Sequence, residues 1–145
     1  MPMRLEIVTA ERVLFEGDVE VVVAPGGEGQ LGVLAHHAAV MTTLQPGELR
    51  YRVGGEEHHY VVHGGFMDIR GDQVVVLADA AEHVDEVDEA RAEEAVQRAQ
   101  ERIAAIGDEV NLERALASLR RGQIRLQITR RRRRNRPVAP GSAPE

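Results

Sequence analysis

The residues best placed to do chemistry are arginines. Arg91 and Arg98 stand seven apart on one predicted helical face with Asp88, while Arg114, Arg121 and Arg125 fall at i, i+7 and i+11 on a second. Lysine is absent, so every one of the eighteen basic residues is an arginine. If the two faces fold together, several guanidiniums converge without lysine or metal. Such a set suits a polyphosphate, because each planar fork holds phosphate oxygens through two hydrogen bonds. A plainer reading stays open beside it: Asp88 and Arg91 as an i, i+3 ion pair on a solvated face, worth roughly a few tenths of a kcal/mol.

Other chemistries fail for want of residues. Zero cysteines exclude a disulfide framework, a thiolate nucleophile and a cysteine-ligated zinc, and the missing lysine excludes a P-loop or Schiff-base lysine. The two serines, Ser118 in a predicted helix and Ser142 near the end, sit in no nucleophile elbow. Gly26, Gly27 and Gly29 lack the Gly-Lys-Ser/Thr and the following helix of a phosphate cradle, and read as a loop. His58 and His59 on a strand point to opposite faces, and His36-His37 lies in a turn with no carboxylate set, so no metal site is expected. Arg70-Gly71-Asp72 reads as a hairpin turn.

The elements that must position the arginines change type at one seam, between Ala81 and Asp88. Upstream, apolar residues alternate, as Leu49, Tyr51 and Val53 do against Glu48, Arg50 and Arg52. Strand-like runs at Leu5 to Val8, Val19 to Ala24, Glu48 to Val53, His58 to Val62, Phe66 to Ile69 and Val74 to Ala78 lie between turn signals. Those signals are Pro25-Gly26-Gly27, Pro46-Gly47, Gly54-Gly55, Gly64-Gly65 and Gly71-Asp72. Gly54-Gly55 is the strongest, since both central positions of a type I′ turn need positive φ. Short regular strands indicate a sandwich or flattened barrel over residues 1–84.

Downstream the period becomes helical. Asp85 is placed to cap a first helix whose stripe is Ala92, Val96, Ala99, Ile103 and Ile106. Gly107 ends it, and Asp108 can cap a second helix carrying Leu112, Ala115, Leu116, Leu119 and Leu126. A short loop between two amphipathic helices favours an antiparallel hairpin over residues 85–129. Its alanine-rich stripe buries little area, so the hairpin is expected to be marginal alone and to move. From Arg130 the pattern dissolves into an arginine run and a Pro, Gly, Ser and Ala end, expected to be a basic disordered tail over 130–145.

Charge follows the same division. Residues 1–85 carry 5 Arg against 14 acids, 86–119 carry 4 against 9, and 120–145 carry 9 against 1. A basic end on an acidic body seeks an anionic partner. No apolar run approaches the roughly 18 residues of a membrane span, and Met1 to Glu6 lacks the build of a secretory signal. A cytosolic chain is expected.

The order and spacing of five segments resemble the epsilon subunits of bacterial F-type ATP synthases, from Met3 to about Ile128. These are Leu5-Glu6-Ile7-Val8-Thr9, Gly29-Gln30-Leu31-Gly32-Val33-Leu34 with His37, Gly64-Gly65-Phe66, Val76-Leu77-Ala78 and Asp88-Glu89-Ala90-Arg91-Ala92. The resemblance implies a ten-stranded β-sandwich followed by an antiparallel two-helix hairpin. It further implies a non-catalytic regulator mounted on a gamma subunit, touching the membrane c-ring and facing the alpha and beta subunits. Such a protein sits peripherally on the cytoplasmic face of the cell membrane, needs no cofactor, and takes ATP as a regulatory ligand.

Carried over by position, Glu82, Asp88, Arg91 and Ala92 would lie near the nucleoside end, and Arg98, Arg121 and Arg125 would take the phosphates. Gly32 and His37, in the loop from Gly29 to His37, are placed against the c-ring by the same resemblance. Two departures stand out. Val87 replaces the usual Ile or Leu, and Gly122 puts a glycine inside the second helix, at about 1 kcal/mol relative to alanine, where it is expected to weaken or bend it. Two other classes compete: a nucleic-acid-binding protein anchored by its arginine run, and a scaffold whose helices pair between copies. Only four aromatic residues and an acidic body speak against the first.

Overall fold

Alternation in the first module becomes eight strands in the computed structural model, which describes residues 3–107 and 109–134. They are β1 (Met3–Val8), β2 (Val13–Val19), β3 (Val21–Gly26), β4 (Gly29–Val33), β5 (His37–Val53), β6 (Glu56–Gly71), β7 (Gln73–Ala78) and β8 (Ala81–His83). Backbone hydrogen bonds join them in the order β2-β1-β7-β6-β5-β3-β4, with β8 paired to β6. Among the described residues only β1 and β7 pair in parallel.

This ladder closes over itself. Phe15 of β2 and Tyr51 of β5 are four places apart in the order, yet their ring centroids stand 4.4 Å apart. Leu5, Ile7, Val22, Val33, Leu49, Met67, Ile69 and Val76, drawn from six strands, share one fully buried cluster. The result is two layers on a single apolar core, as the alternation requires.

The expected ten strands are eight among the described residues, and the reason lies in two turn signals that are not turns. Pro46-Gly47 falls inside β5 and Gly64-Gly65 inside β6. β6 pairs with β8 through Tyr60 to Val62 and with β7 through Gly65 to Arg70, so one long strand serves both layers. Splitting β5 and β6 at this point restores ten segments. Glycine is obligatory there: at Gly65, with φ 124°, a Cβ would stand 2.1 Å from the Leu77 carbonyl oxygen. The hairpin signals hold elsewhere. Gly54 and Gly55 have φ 57° and 80° between β5 and β6, and Gly71, at φ 58°, turns β6 into β7. β4 occupies a segment read as a loop, and the Val19 to Ala24 run breaks at Glu20.

The second module holds a 3-10 turn (Val84–Glu86), α1 (Glu89–Ala105) and α2 (Glu109–Arg134). Asp88, not Asp85, caps α1: its carboxylate accepts the Arg91 N–H at 3.2 Å. Val84 and Val87 are both buried, which holds the intervening residues in the short turn and delays the helix by three residues. His83 Nδ1 caps that turn by accepting the Asp85 N–H at 3.1 Å. The expected cap at Asp108 lies outside the described residues.

Two further expectations are corrected on α2. The helix continues through Arg130 to Arg134, where a disordered tail was expected to begin, because carboxylates and carbonyls elsewhere in the chain bind Arg130 to Arg133. Residues 135–145 lie outside the described residues. Gly122 neither breaks nor ends the helix. A Cβ there would meet Val96 Cγ2 at 3.0 Å, so the glycine lets α1 and α2 approach closely.

Candidate functional site

Both amphipathic stripes turn inward as their periods dictate: Ala92, Val96, Ala99, Ile103 and Ile106 on α1 and Leu112, Ala115, Leu116, Leu119 and Leu126 on α2 are all partly or fully covered. Two small apolar patches then form, one holding the helices to each other and one holding α2 to the sandwich. Val87, Ala92 and Leu126 pack with Val96, and Val61, Val84 and Ile128 pack with Ile124. Val61 alternates with Tyr60 and Val62, which face the main core, so α2 lies on the outer face of β6.

Between the sandwich and the two helices is a cleft of about 250 Å³, lined by His63, Ala80, Ala95, Val96, Ser118, Arg121, Gly122 and Arg125. Arg121 and Arg125 reach it from neighbouring turns of α2. Arg91 and Arg98 lie within one turn of Ala95 on the same α1 face, with Asp88 further along it. Arg91 and Arg98 are exposed, and among the described residues neither side chain forms an ion pair. The Asp88 carboxylate therefore serves Arg91 through the backbone cap and not through a side-chain pair. Ala92, 1% exposed, sits under the hairpin as packing.

Arg125 is already engaged. Its Nε and Nη2 donate to the two carboxylate oxygens of Glu82 at 2.6 and 2.8 Å, a bidentate pair joining α2 to β8. That hydrogen bond is the main reason the Arg125 guanidinium is held more firmly protonated than usual. Arg121, by contrast, keeps its charge at the cleft without an ion pair among the described residues. His63 is pushed below the ordinary histidine value, first by burial and further by Arg121 and Arg125, against the opposing pull of Glu82. Its Nδ1 is buried without a hydrogen-bond partner among the described residues. The imidazole can accept a hydrogen bond at Nδ1, and the guanidinium of Arg121, which forms no ion pair among the described residues, can hold an anion. Since ligand pockets usually span about 300–1,000 Å³, the cleft admits a base or a phosphate group and leaves the rest of a nucleotide over the rim.

Sequence reasoning missed a second polar centre. Glu48 on β5, with its side chain 6% exposed, receives Arg132 through both carboxylate oxygens, Nε standing 2.6 Å from Oε2. Arg131 Nη2 reaches the same carboxylate at 3.3 Å, His59 Nδ1 lies at 3.7 Å and Arg50 at 3.8 Å. Burial alone would raise the Glu48 carboxyl, but His59 and Arg132 outweigh it and hold it far below the usual carboxylate range. Beside this pair opens a larger cleft of about 810 Å³, bordered by the Gly54-Gly55 turn, His58, His59, His83 and Arg132. The one sequence signal for Glu48 was its outward register next to Leu49. Nothing local told which of eighteen arginines, 84 residues away, would meet it.

The structure places Gly32 exposed on β4, an edge strand, and His37 at the first residue of β5, half-buried with Nδ1 2.7 Å from the Ala38 carbonyl. Neither lines the cleft of the arginines. Among the described residues no group of three His, Asp or Glu is arranged to hold a metal, and no helix is long and apolar enough to cross a membrane.

Residues 2–84 match the family model described as ATP synthase, Delta/Epsilon chain, beta-sandwich domain, and residues 85–130 match the long alpha-helix domain of the same chains. The chain is 48% identical over 140 residues to the ATP synthase epsilon chain of Dehalococcoides mccartyi, covering 94% of this chain and 98% of that one. Against the epsilon chain of Herpetosiphon aurantiacus it is 45% identical over 133 residues, 92% and 98% of the two chains. Among solved structures it is similar to a chain of the Euglena gracilis mitochondrial ATP synthase OSCP/F1/c-ring assembly, with a TM-score of 0.68 and 25% identity over 89% of this chain and 78% of that one. A chain from the Tetrahymena thermophila central stalk/c-ring shares the fold, with a TM-score of 0.60 at 13% identity.

Proposed function

Since the chain belongs to the ATP synthase delta/epsilon-chain family, we propose that it is a non-catalytic central-stalk subunit whose helical hairpin regulates ATP hydrolysis. It would join the rotor to the c-ring through the sandwich, with the gamma, alpha and beta subunits as its other partners. It would meet the membrane, at its cytoplasmic face, only through that complex. The outer face of β5, β6 and β7 supports a docked sandwich. Met41, Phe66 and Leu77 are 64%, 51% and 52% exposed there, an apolar surface that a gamma subunit would cover. Gly32 and His37, away from the arginine cleft, are the residues proposed to face the c-ring.

One observation carries the regulatory half: the cleft of Arg121, Arg125 and His63 has walls from the sandwich and from both helices, so it exists only while the hairpin is docked. A ligand shifts a two-state balance only through differential affinity. ATP held there, with Asp88 and Arg91 toward the nucleoside over the buried Ala92, and with Arg98 and Arg121 toward the phosphates, joined by Arg125 once it leaves Glu82, would favour the docked state. In the released state the same arginines, with Arg130 to Arg134, would face acidic surface on the beta subunits and oppose hydrolysis. Two readouts test the proposal. ATP added to the full chain is expected to raise its melting temperature, and no shift at millimolar ATP would remove the nucleotide part. Deleting Leu112 onward is expected to raise ATP hydrolysis by the reconstituted complex, and unchanged activity would remove the inhibitory part.

A nucleic-acid role is less well supported. Arg130 to Arg133 are each engaged by acids or carbonyls of this chain, leaving no free basic tract there to meet a phosphate backbone.

A further inference from the structure

Four consecutive arginines at the end of α2 bind three different parts of the molecule. Arg130 Nη2 donates to Glu93 on α1 at 3.0 Å, and its Nε lies 3.8 Å from Glu89. Arg131 and Arg132 converge on Glu48 of the sandwich. Arg133 donates to Glu89 at 2.9 Å, to the Val84 carbonyl at 3.1 Å and to the Val87 carbonyl. Those carbonyls flank the 3-10 turn that joins the sandwich to α1. The end of α2 thus holds the sandwich, the first helix and the hinge at once.

We propose that Glu48 and the run Arg130 to Arg133 form an electrostatic latch that keeps the hairpin docked without any nucleotide. The apolar seam is too small to do this alone, because a single patch, in which Val61, Val84, Ile128 and Ile124 meet, joins the 26-residue helix to the sandwich. Glu48 makes the latch a switch and not a passive contact. Its carboxylate is nearly inaccessible in the docked state, where guanidiniums satisfy both oxygens. Removing one partner leaves the other charge poorly solvated, which disfavours docking, whereas exchanging the pair or replacing both by apolar groups does not. Any partner presenting carboxylates to this run competes with Glu48 for the same arginines, so docking and engagement of an acidic surface exclude each other.

The inference rests on the two-state hairpin for its regulatory consequence, but not on the nucleotide cleft, and its test contains no ATP. Because the chain has no cysteine, spin labels can be placed uniquely with Glu28→Cys, in the β3–β4 turn, and Gln127→Cys, on the exposed side of α2. Their distance distribution in the full chain should show one short population. Glu48→Ala should raise the long-distance fraction on the order of tenfold or more, and 1 M salt should act in the same direction. The exchange Glu48→Arg with Arg132→Glu should restore the short distance. Arg132→Ala, at the helix end and outside the sandwich core, should release the hairpin even if Glu48→Ala proves too unstable to study. A short distance persisting in both single variants would overturn the latch, as would a predominantly long distance in the parent chain. Failure of ATP to bind would leave these distances unchanged and would count only against the nucleotide site.

Discussion

The sandwich and the hairpin are built on opposite energetic principles. Seventeen buried residues from seven strands share one apolar cluster in the sandwich, closed by a continuous backbone ladder. On the hairpin side, two patches of four residues are supplemented by arginine–carboxylate pairs. Apolar burial is non-directional and is not screened by salt, whereas ion pairs are screened, compete with other partners and contribute modestly net of desolvation. One molecule therefore carries a body that must not open and an arm held by contacts that other charges can replace.

The largest effect should come from the body. Leu49→Ala empties a fully buried site in the central cluster and should cost about 2–5 kcal/mol in denaturant unfolding, with the hairpin deleted or present. An equal loss from a surface change on α2 would erase the distinction between the two regions. Next, Asp88→Ala removes the α1 cap and should cost about 1 kcal/mol of helix stability. Circular dichroism should register it in the helical signal, while amide exchange in β1 and β7 stays as slow as in the parent chain. Exchange that quickens in those strands would show that the arm supports the body.

Acidification should separate the regions more gently. His63 is held below the ordinary value of 6.5, first by burial and further by Arg121 and Arg125 of α2, against the pull of Glu82. Released from α2 it takes up a proton closer to the ordinary value, and in the docked chain only at lower pH. Docking is therefore unaffected above 6.5 and weakens as pH falls from there. The spin-label distance between pH 7.5 and 5.5 should lengthen, and His63→Gln should flatten the response. Glu48, held far below its usual range, adds its own loss only at more acidic pH, below about 4.5. The smallest effect is expected from Gly122→Ala. Helix propensity gains about 1 kcal/mol, and a Cβ 3.0 Å from Val96 Cγ2 takes part of it back. A melting shift beyond a few degrees either way would mean the close helix approach carries more than contact.

Much of the candidate site was legible before folding. The i, i+7 and i+11 spacing put Arg114, Arg121 and Arg125 on one helix face, and the cleft draws on two of them. Equally legible was the Gly54-Gly55 turn, whose positive φ values only glycine takes easily. Gly64-Gly65 was misread because glycine serves both a turn and a strand bend, and only the approach of Leu77 distinguishes them. Arg130 to Arg134 read as a tail because like charges repel in an isolated helix, and the acids that cancel them lie 37 to 84 residues away.

By itself the sequence determined the two modules, their order, the register of the core-facing residues and the polarity of the arm. Periodicity and propensity are local, and a stretch of ten residues expresses them fully. Only the tertiary structure decided which carboxylate meets which guanidinium, that Arg125 is bound to Glu82 while Arg121 at the cleft forms no ion pair among the described residues, and that Glu48 receives the end of α2. An ion pair has no periodic signature in the chain. It exists where the fold brings two charges within reach of each other and away from water.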